Sequence, residues 1–323
     1  MKRNKILYLD ASETIYTRAI VDELNLIFSS VDCFFYEEIY RHPIFKGRFF
    51  DKDKASNLRD QHLNNFLNYI KANKYDIILV KAPFNLPVSF FQKLRSQFKS
   101  VPIINYNWSS IKKFNFLPYK EIFTKVYSFD REDCEKENLE YYPLFFLKQF
   151  DTISQNAHKK IYDVSFIGSG YSPGRLEFLN NFVNTKEFNT HNIYLYIYTP
   201  QKLKSLKVYF RYKKLRDHCY WHQLSSNGLF NITAQSLSMI DHPMTIQTGL
   251  TIRTFETLGA GLHLFTTNLK IKEEPFYDSN RITIIDTDFN NFDFQIPIKN
   301  NVDWSEHFLQ YRIDSWIKHI TKI

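Results

Sequence analysis

Short apolar runs alternate along this chain with longer stretches of helical period. Such an alternation is typical of βα units, whose strands pair in parallel. In the first half of the chain it predicts five strands, at Lys5–Asp10, Asp32–Glu38, Tyr75–Ala82, Pro102–Trp108 and Lys125–Asp130. Helices are expected between them, one capped by Ser12 and another over Asn57–Lys71.

A second series of the same kind begins at residue 162. Its predicted strands are Tyr162–Ile167, Asn192–Tyr198, Ser236–Asp241, Leu262–Thr267 and Ile282–Asp286. The stretch Leu147–Lys160, between the two series, has no clear periodicity and is interpreted as a linker. We therefore predict an α/β chain with Rossmann-like domains at 1–150 and 151–305 and a C-terminal helix at 306–323. Open sheets of this class bind ligands beyond the carboxyl ends of their strands.

The charge balance limits the kind of partner. Of the 323 residues, 42 are Lys or Arg and 34 are Asp or Glu, a net charge of +8. Residues 1–160 hold 25 basic and 19 acidic side chains, or +6. A local basic run in the second half comprises Lys202, Lys204, Lys207, Arg211, Lys213, Lys214 and Arg216. The surplus suits nucleic acid, an anionic membrane surface or a phosphorylated substrate, and a solvated helix face explains the basic run equally well.

Neither a membrane span nor a signal peptide is expected, because no window approaches about 18 uninterrupted apolar residues. The three cysteines, Cys33, Cys134 and Cys219, are far apart and lack zinc-ligand spacing. These features predict a cytoplasmic protein with reduced thiols.

The most informative segment runs from Asp241 to Gly261. It follows a predicted strand, passes Pro243 and enters a helix that Thr248 or Thr251 can cap. The open N–H groups of a first helical turn favour a phosphate. A capped helix with a surface ion pair is the plainer interpretation. If a nucleotide binds, Arg253 is suited to its phosphate charge and Glu256 to two ribose hydroxyls.

A second loop of interest is Gly168-Ser169-Gly170, which follows a strand and precedes Arg175. It can approach a diphosphate, but its spacing is not the dinucleotide fingerprint, and a tight strand-to-helix turn explains it equally well.

The run from Gln247 to Gly259, with Thr266-Thr267-Asn268 and Tyr162-Asp163-Val164-Ser165-Phe166-Ile167-Gly168-Ser169, resembles bacterial lipopolysaccharide and capsule glycosyltransferases of the GT-B fold. Fragments around Val126–Asp130, Pro143–Phe146 and Trp316 fit the same family, so the resemblance spans most of the chain. It implies two Rossmann-like domains facing each other across a cleft, with the C-terminal helix packing back on the N-terminal domain.

The resemblance also implies roles for particular residues. The C-terminal domain would hold a nucleotide sugar, with its ribose at Glu256. The diphosphate would lie at Thr248, Gly249, Leu250, Thr251 and Arg253, with Gly168, Ser169 and Arg175 as further candidates, and the sugar would lie at His242 and Gln247. The N-terminal domain would hold the acceptor.

Two positions depart from the family pattern. Many retaining members have a glutamate where this chain has Thr248, so the stereochemical outcome stays open. Ser109 stands where similar sequences have an aspartate, which weakens an acidic role there.

No metal cofactor is expected. GT-B enzymes generally need none, and the Asp-x-Asp triplets at 51–53 and 286–288 lie in unconvincing settings. The charge of a departing diphosphate must then be stabilised by helix N–H groups and by arginine or lysine.

An inverting reaction needs a base for the acceptor hydroxyl. Asp10, Glu13 and Asp130 are the candidates, although each is also explained as a capping or salt-bridging carboxylate. For His242, a structural role is the alternative to sugar binding.

These observations predict a cytoplasmic glycosyltransferase that moves a hexose from a nucleoside diphosphate sugar to a lipopolysaccharide, O-antigen or capsule glycan. UDP is the expected nucleotide. Peripheral attachment to an anionic membrane surface is also expected, and nucleic acid is not an expected partner. A nucleotide-sugar epimerase of the same fold and a catalytically silent partner of another glycosyltransferase are the alternatives.

Overall fold

The structure of the protein is a computed structural model that describes residues 3–41, 52–81, 83–170, 173–199, 210–289 and 308–322. Lys202, Lys204 and Lys207 of the basic run, and Asp51 of the first Asp-x-Asp triplet, lie outside the described residues. The chain divides into two compact units. The first comprises Met1–Pro143 and Trp316–Ile323, and the second comprises Leu144–Ser315.

The first unit is built on a six-stranded sheet in the order β2-β1-β3-β4-β5-β6, in which every pair of neighbours is parallel. The strands are β1 (Arg3–Asp10), β2 (Phe28–Phe35), β3 (Ile77–Lys81), β4 (Ile103–Asn107), β5 (Lys125–Ser128) and β6 (Glu140–Tyr141). The helices are α1 (Ile15–Ile27), α2 (Lys52–Ile70), α3 (Val88–Gln97) and α4 (Arg131–Glu137). The order of the strands reverses between β1 and β3.

The second unit repeats this plan with a parallel sheet in the order β12-β11-β10-β7-β8-β9. Its strands are β7 (Tyr162–Ser169), β8 (Ile193–Tyr198), β9 (Cys219–Tyr220), β10 (Ser236–Asp241), β11 (His263–Thr266) and β12 (Ile282–Ile284). Its helices are α5 (Lys148–Gln155), α6 (Pro173–Phe182), α7 (Lys186–Thr190), α8 (Ser226–Gln235) and α9 (Ile252–Gly259). Here the order reverses between β7 and β10.

The last helix, α10 (Ile313–Ile320), crosses from the second unit into the first. The Trp316 indole N–H donates to the carbonyl of Pro143 over 3.0 Å, and its ring meets Tyr106 edge-on at 4.7 Å. The Tyr106 hydroxyl in turn donates to the Pro143 carbonyl. This buried cluster confirms that the C-terminal helix packs on the N-terminal domain.

The sequence and the structure differ at several boundaries, and α1 is capped by Thr14 instead of the predicted Ser12. Helix α5 occupies the stretch that the sequence analysis assigned to a linker, and the units divide at Pro143 instead of residue 150. The helix is short, and its buried apolar side chains, Phe150 and Ile153, span one turn, too little for a period to show. Strand β2 begins at Phe28, before the predicted Asp32, because it follows α1 directly.

Candidate functional site

The carboxyl ends of β7 and β10 mark the place in the second unit where a ligand site is expected. The two strands are neighbours, and the strand order runs outward from them in opposite directions. In open α/β sheets such a reversal leaves a crevice beyond the strand ends, where ligands bind. Strand β7 ends at Ser169 and leads to α6, while β10 ends at Asp241 and leads to α9.

Asp241 fixes the start of α9. Its carboxylate is buried and accepts hydrogen bonds of 2.8 Å from the hydroxyls of both Thr251 and Thr254. Thr251 is the N-cap, and its hydroxyl oxygen accepts from the backbone N–H of Arg253. Burial raises the pKa of Asp241, opposed by the two threonine bonds and by the charges of Arg175 and Arg253. This role of Asp241 was not predicted from the sequence, although threonines three apart lie on one face of a helix and indicate a shared partner.

Arg253 and Glu256 form an ion pair within α9, with 2.6 Å between Nη1 and Oε2. The Glu256 side chain is fully buried, whereas that of Arg253 keeps 13% of its surface exposed. Among the described residues, the Nε and Nη1 groups of Arg253 have no aligned hydrogen-bond acceptor, so the close contact with Glu256 is electrostatic. Glu256, predicted to bind the ribose, and Arg253, predicted to bind the phosphate, therefore lie in contact with each other.

Arg175, on α6, ties the ends of the two central strands together. Its Nε and Nη2 donate to the carbonyl of His242 at 3.0 and 2.7 Å, and its Nη1 donates to the carbonyl of Ser169 at 3.2 Å. Burial lowers the pKa of Arg175. The charge of Arg253 lowers this pKa further, whereas the charge of Asp241 raises it. The guanidinium is thus bonded to backbone carbonyls at the ends of both strands.

His242 is held as a neutral side chain. Its Nδ1 shares a 2.7 Å hydrogen bond with the Thr267 hydroxyl, and its ring stacks on Phe178 with centroids 4.3 Å apart. Burial, followed by the nearby charge of Arg175, lowers the pKa of His242 to about 4. At neutral pH this side chain can therefore offer a ring nitrogen without adding charge.

The loop that precedes α9 is anchored by a residue outside the predicted set. The Asn268 amide donates to the carbonyl of Thr248 at 2.9 Å and to that of Gly249 at 3.5 Å. Leu250 is buried next to these residues, whereas Gln247 is half-buried. Asn268 thereby fixes the backbone that leads to the Thr251 cap.

The glycines of the Gly168-Ser169-Gly170 loop are explained by packing. A Cβ on Gly168 would lie 2.8 Å from the Phe166 ring, and one on Gly170 would lie 2.9 Å from the Thr199 methyl group. A tight strand-to-helix turn therefore accounts for both glycines, and a diphosphate role for Gly168 and Ser169 stays a prediction.

The three carboxylates predicted as bases lie in the first unit in different settings. Asp10 is buried and accepts from the hydroxyls of Tyr8 and Thr17, from the Lys81 ammonium and from the Ala11 N–H. Asp130 is buried as the N-cap of α4, where it accepts from the backbone N–H of Asp133. Glu13 is exposed and pairs with Arg18 at 2.7 Å.

The described part of the chain contains neither a candidate metal site nor a candidate membrane span. No group of three or more His, Cys, Asp or Glu side chains there is arranged to hold a metal ion. In the same residues, no helix combines the length and the apolar character needed to cross a bilayer.

No protein-family model and no curated protein matches the sequence. Solved structures do match over the whole chain. The E. coli trehalose-6-phosphate protein bound with UDP-2-fluoro glucose is similar over 99% of each chain, with a TM-score of 0.63 and 11% identity. UDP-GlcNAc 2-epimerase from Methanocaldococcus jannaschii matches over 98% of this chain and 99% of its own, with a TM-score of 0.57 and 10% identity.

A third similar structure is the lipopolysaccharide outer core galactosyltransferase WaaB. It covers 82% of this chain and 80% of its own, with a TM-score of 0.50 and 13% identity. At such identities the likeness shows the fold alone. With two parallel six-stranded sheets and flanking helices, the chain has the two-domain α/β architecture of the GT-B class, as predicted.

Proposed function

We propose that this protein is a glycosyltransferase that moves a hexose-type sugar from a nucleoside diphosphate sugar, with UDP as the nucleotide, to a lipopolysaccharide, O-antigen or capsule glycan. The observation that carries the proposal is the placement of Arg253. It lies in the first turn of α9 at the strand-order reversal of the second sheet, and two of its nitrogens have no aligned acceptor among the described residues.

The surroundings of Arg253 suit a diphosphate. The capped first turn of α9 presents backbone N–H groups and the positive end of the helix dipole. Arg175 adds a second fixed cation, since its charge acts on Asp241 together with that of Arg253. The fold likeness supports the same ligand class, because two of the similar structures are named for a UDP-sugar ligand or substrate.

In this proposal the departing diphosphate is stabilised by the α9 N-terminus and Arg253, without a metal ion. Thr248, Gly249, Leu250 and Thr251 form the backbone around it, Glu256 accepts the ribose hydroxyls, and neutral His242 with Gln247 contacts the sugar. Of the three carboxylates considered as the base, Glu13 alone is exposed, which favours it for accepting the acceptor's proton.

Calorimetric titration with a panel of nucleotides tests the donor site. We expect UDP to bind and Arg253→Ala to weaken binding roughly 10- to 100-fold, the equivalent of about 1.5–3 kcal/mol for lost charge-assisted bonds. The matched control is Lys270→Ala, which removes the cation of an exposed pair with the same spacing, Lys270 and Glu273 at 3.0 Å. Absence of nucleotide binding would refute the proposal, and loss of binding in EDTA would refute its metal-free form.

An epimerase is the second candidate, favoured by the likeness to UDP-GlcNAc 2-epimerase over nearly the full length of both chains. An epimerase converts the nucleotide sugar without an acceptor. Turnover of the donor alone to an isomeric nucleotide sugar would identify this activity. If the protein binds the nucleotide sugar but does not turn it over, with or without an acceptor, it is instead the catalytically silent partner of another glycosyltransferase. The presence of Thr248 in place of a glutamate is compatible with this alternative.

The glycan acceptor and a peripheral membrane position belong to the same proposal. They are supported by the +6 balance of residues 1–160 and by exposed aromatic and basic side chains at Phe210, Arg211, Lys213 and Trp221. Lysine and arginine near a surface are attracted to anionic lipid. Sedimentation with vesicles should show binding that needs anionic lipid and weakens with salt. Equal sedimentation of the protein with neutral and anionic vesicles would refute the proposed membrane position.

A further inference from the structure

Asn268 is held in place by its own backbone and side-chain oxygen. Its backbone N–H donates to the Thr266 hydroxyl at 3.1 Å, and its backbone carbonyl accepts from the N–H of Ile271. The side-chain Oδ1 accepts from the N–H of Lys270 at 3.0 Å, which caps the short 3₁₀ helix Leu269–Glu273. Only 7% of the residue is exposed. The side chain therefore keeps one orientation, with its amide nitrogen directed at the loop that precedes α9.

That amide nitrogen binds two successive carbonyls of the loop, those of Thr248 at 2.9 Å and Gly249 at 3.5 Å. In a planar trans peptide the N–H points opposite to the C=O. The N–H groups of Gly249 and Leu250 therefore both point away from Asn268. Asn268 follows β11, which lies beside β10 on the side away from β7. The two N–H groups are thus turned to the β7 side of the loop, where the crevice lies.

We propose that Asn268 is a positioning residue for the phosphates of the donor, because it holds these two N–H groups toward the crevice. This inference rests on the proposed function, which places the diphosphate at the loop. Successive N–H groups that point the same way form an anion-binding concavity. In this proposal Asn268 does not touch the ligand and acts through the backbone alone.

The position of Gly249 between the two peptide groups explains why an anchor is needed. Glycine populates more backbone conformations than other residues, so the peptide groups on either side of it rotate most easily. A half-turn of either group exchanges its N–H for its C=O and would present a partly negative oxygen to the phosphate. The bonds from Asn268 oppose this rotation, because a rotated group would turn its N–H toward the amide donor.

The oxygen and the nitrogen of the Asn268 side chain have separate roles. Oδ1 faces an N–H and Nδ2 faces carbonyls, so exchanging the two atoms would set donor against donor and acceptor against acceptor. The oxygen caps a helix, and the nitrogen anchors the loop. Serine also caps helices, but its side chain is shorter and has no amide. Asn268→Ser therefore removes the anchor, keeps a capping residue and changes no charge.

Titration of the full chain with UDP and with uridine, whose affinity is measured by displacement of UDP, tests the inference. In Asn268→Ser, UDP affinity should fall about tenfold, because the phosphate loses aligned N–H donors, while uridine affinity should stay within about twofold. A general loss of structure would weaken both ligands by the same factor. Asn184→Ser is the matched control, because its exposed amide also donates to a backbone carbonyl, that of Asn180 at 2.7 Å. It should change neither affinity.

Asn268→Thr, a second neutral capping residue, takes the place of Asn268→Ser if the serine variant does not fold. Thermal unfolding of each variant verifies that it is folded. Unchanged UDP affinity in a folded variant, or an equal loss for UDP and uridine, would overturn the positioning role and leave the proposed function standing. No UDP binding by wild type would overturn both.

Discussion

The carboxylate of Asp10 and the ammonium of Lys81 lie 2.9 Å apart where β1 and β3 end, the two strands between which the order of the first sheet reverses. Their side chains are 5% and 11% exposed. Lys81 also lies over the Trp108 ring, with its nitrogen 4.4 Å from the ring centroid. The carboxylate that the sequence offers as a base is thus half of a buried ion pair.

Asp10→Asn should destabilise the protein by about 3–5 kcal/mol, because it keeps the shape of the side chain but leaves the Lys81 charge buried without its counter-ion. Lys81→Met should cost a similar amount for the reciprocal reason. The double variant should lose less than the sum of the two. Urea denaturation of all four proteins gives the coupling free energy.

Glu13→Gln serves as the control, since Glu13 and Arg18 are 52% and 69% exposed and such a pair contributes about 0–1 kcal/mol. Additive effects of the Asp10 and Lys81 substitutions would contradict the coupling. If the proposed glycosyl transfer is demonstrated, a folded double variant that keeps it in full would in addition exclude Asp10 as the base.

Thr254→Val tests the attachment of α9 to β10. The substitution keeps the shape of a fully buried side chain but removes the hydroxyl that donates to Asp241. We expect a loss of about 1–3 kcal/mol, because a buried carboxylate loses a hydrogen bond, and a parallel loss of nucleotide affinity. Denaturation and titration measure the two effects.

The matched control lies one turn further along the same helix. Thr257 is also fully buried, but its hydroxyl donates to the backbone carbonyl of Arg253 instead of to a charged group. Thr257→Val should therefore cost clearly less than Thr254→Val. An equal loss of unfolding free energy in the two variants would show that the hydrogen bond to Asp241 contributes no more than a bond to a backbone carbonyl.

Much of the fold could be predicted because its strands are short apolar runs with clear ends. Strand β10 was predicted with the observed bounds, and β4 and β8 were predicted to within one residue at either end. Elements with weak local signals were missed. Edge strand β9 has two residues and pairs only at Ile197 and Tyr198, so its place depends on the sheet and not on its own sequence.

The backbone of the candidate site could be predicted from the sequence. A helix start beyond a strand end can be inferred from Pro243, Thr251 and Gly261, and Gly261 indeed has a positive φ of 68° after α9. Side-chain partners could not be inferred, because they depend on tertiary contacts. The bond between Asp241 and Thr254 joins two elements, and nothing local indicates that Arg175 binds the carbonyl of His242.

Gly259→Ala tests the packing at the end of α9. A Cβ there would lie 2.4 Å from the Phe146 ring, which is itself buried. We expect a loss of about 1–3 kcal/mol from overpacking. The added substitution Phe146→Leu should recover part of the lost stability.

Gly174→Ala, in α6, is the control. Its Cβ would meet the Thr245 methyl group at an ordinary 3.4 Å. Alanine in place of glycine within a helix should stabilise the protein by about 0.5–1 kcal/mol. Destabilisation of similar size at both sites would contradict the packing argument.

Acid should weaken the protein through two buried histidines. Burial is the main cause that lowers the pKa of both His242 and His263 to about 4, from an ordinary value of 6.5. Between these values the unfolded chain binds protons that the folded chain does not, so the free energy of unfolding falls as the pH drops from 6.5 to 4. Each histidine contributes about 1.4 kcal/mol per pH unit over that window and nothing above pH 7.

His263→Gln isolates the contribution of one histidine to the pH dependence of stability. His263 lies outside the proposed site, and its Nε2 shares a 2.8 Å hydrogen bond with the Thr283 hydroxyl. The difference in unfolding free energy between wild type and variant should be constant above pH 7 and should shift by about 1.4 kcal/mol per unit below 6.5, in favour of the variant. A difference for His263→Gln that does not vary between pH 4 and 7 would show that His263 takes up its proton equally in the folded and unfolded chain.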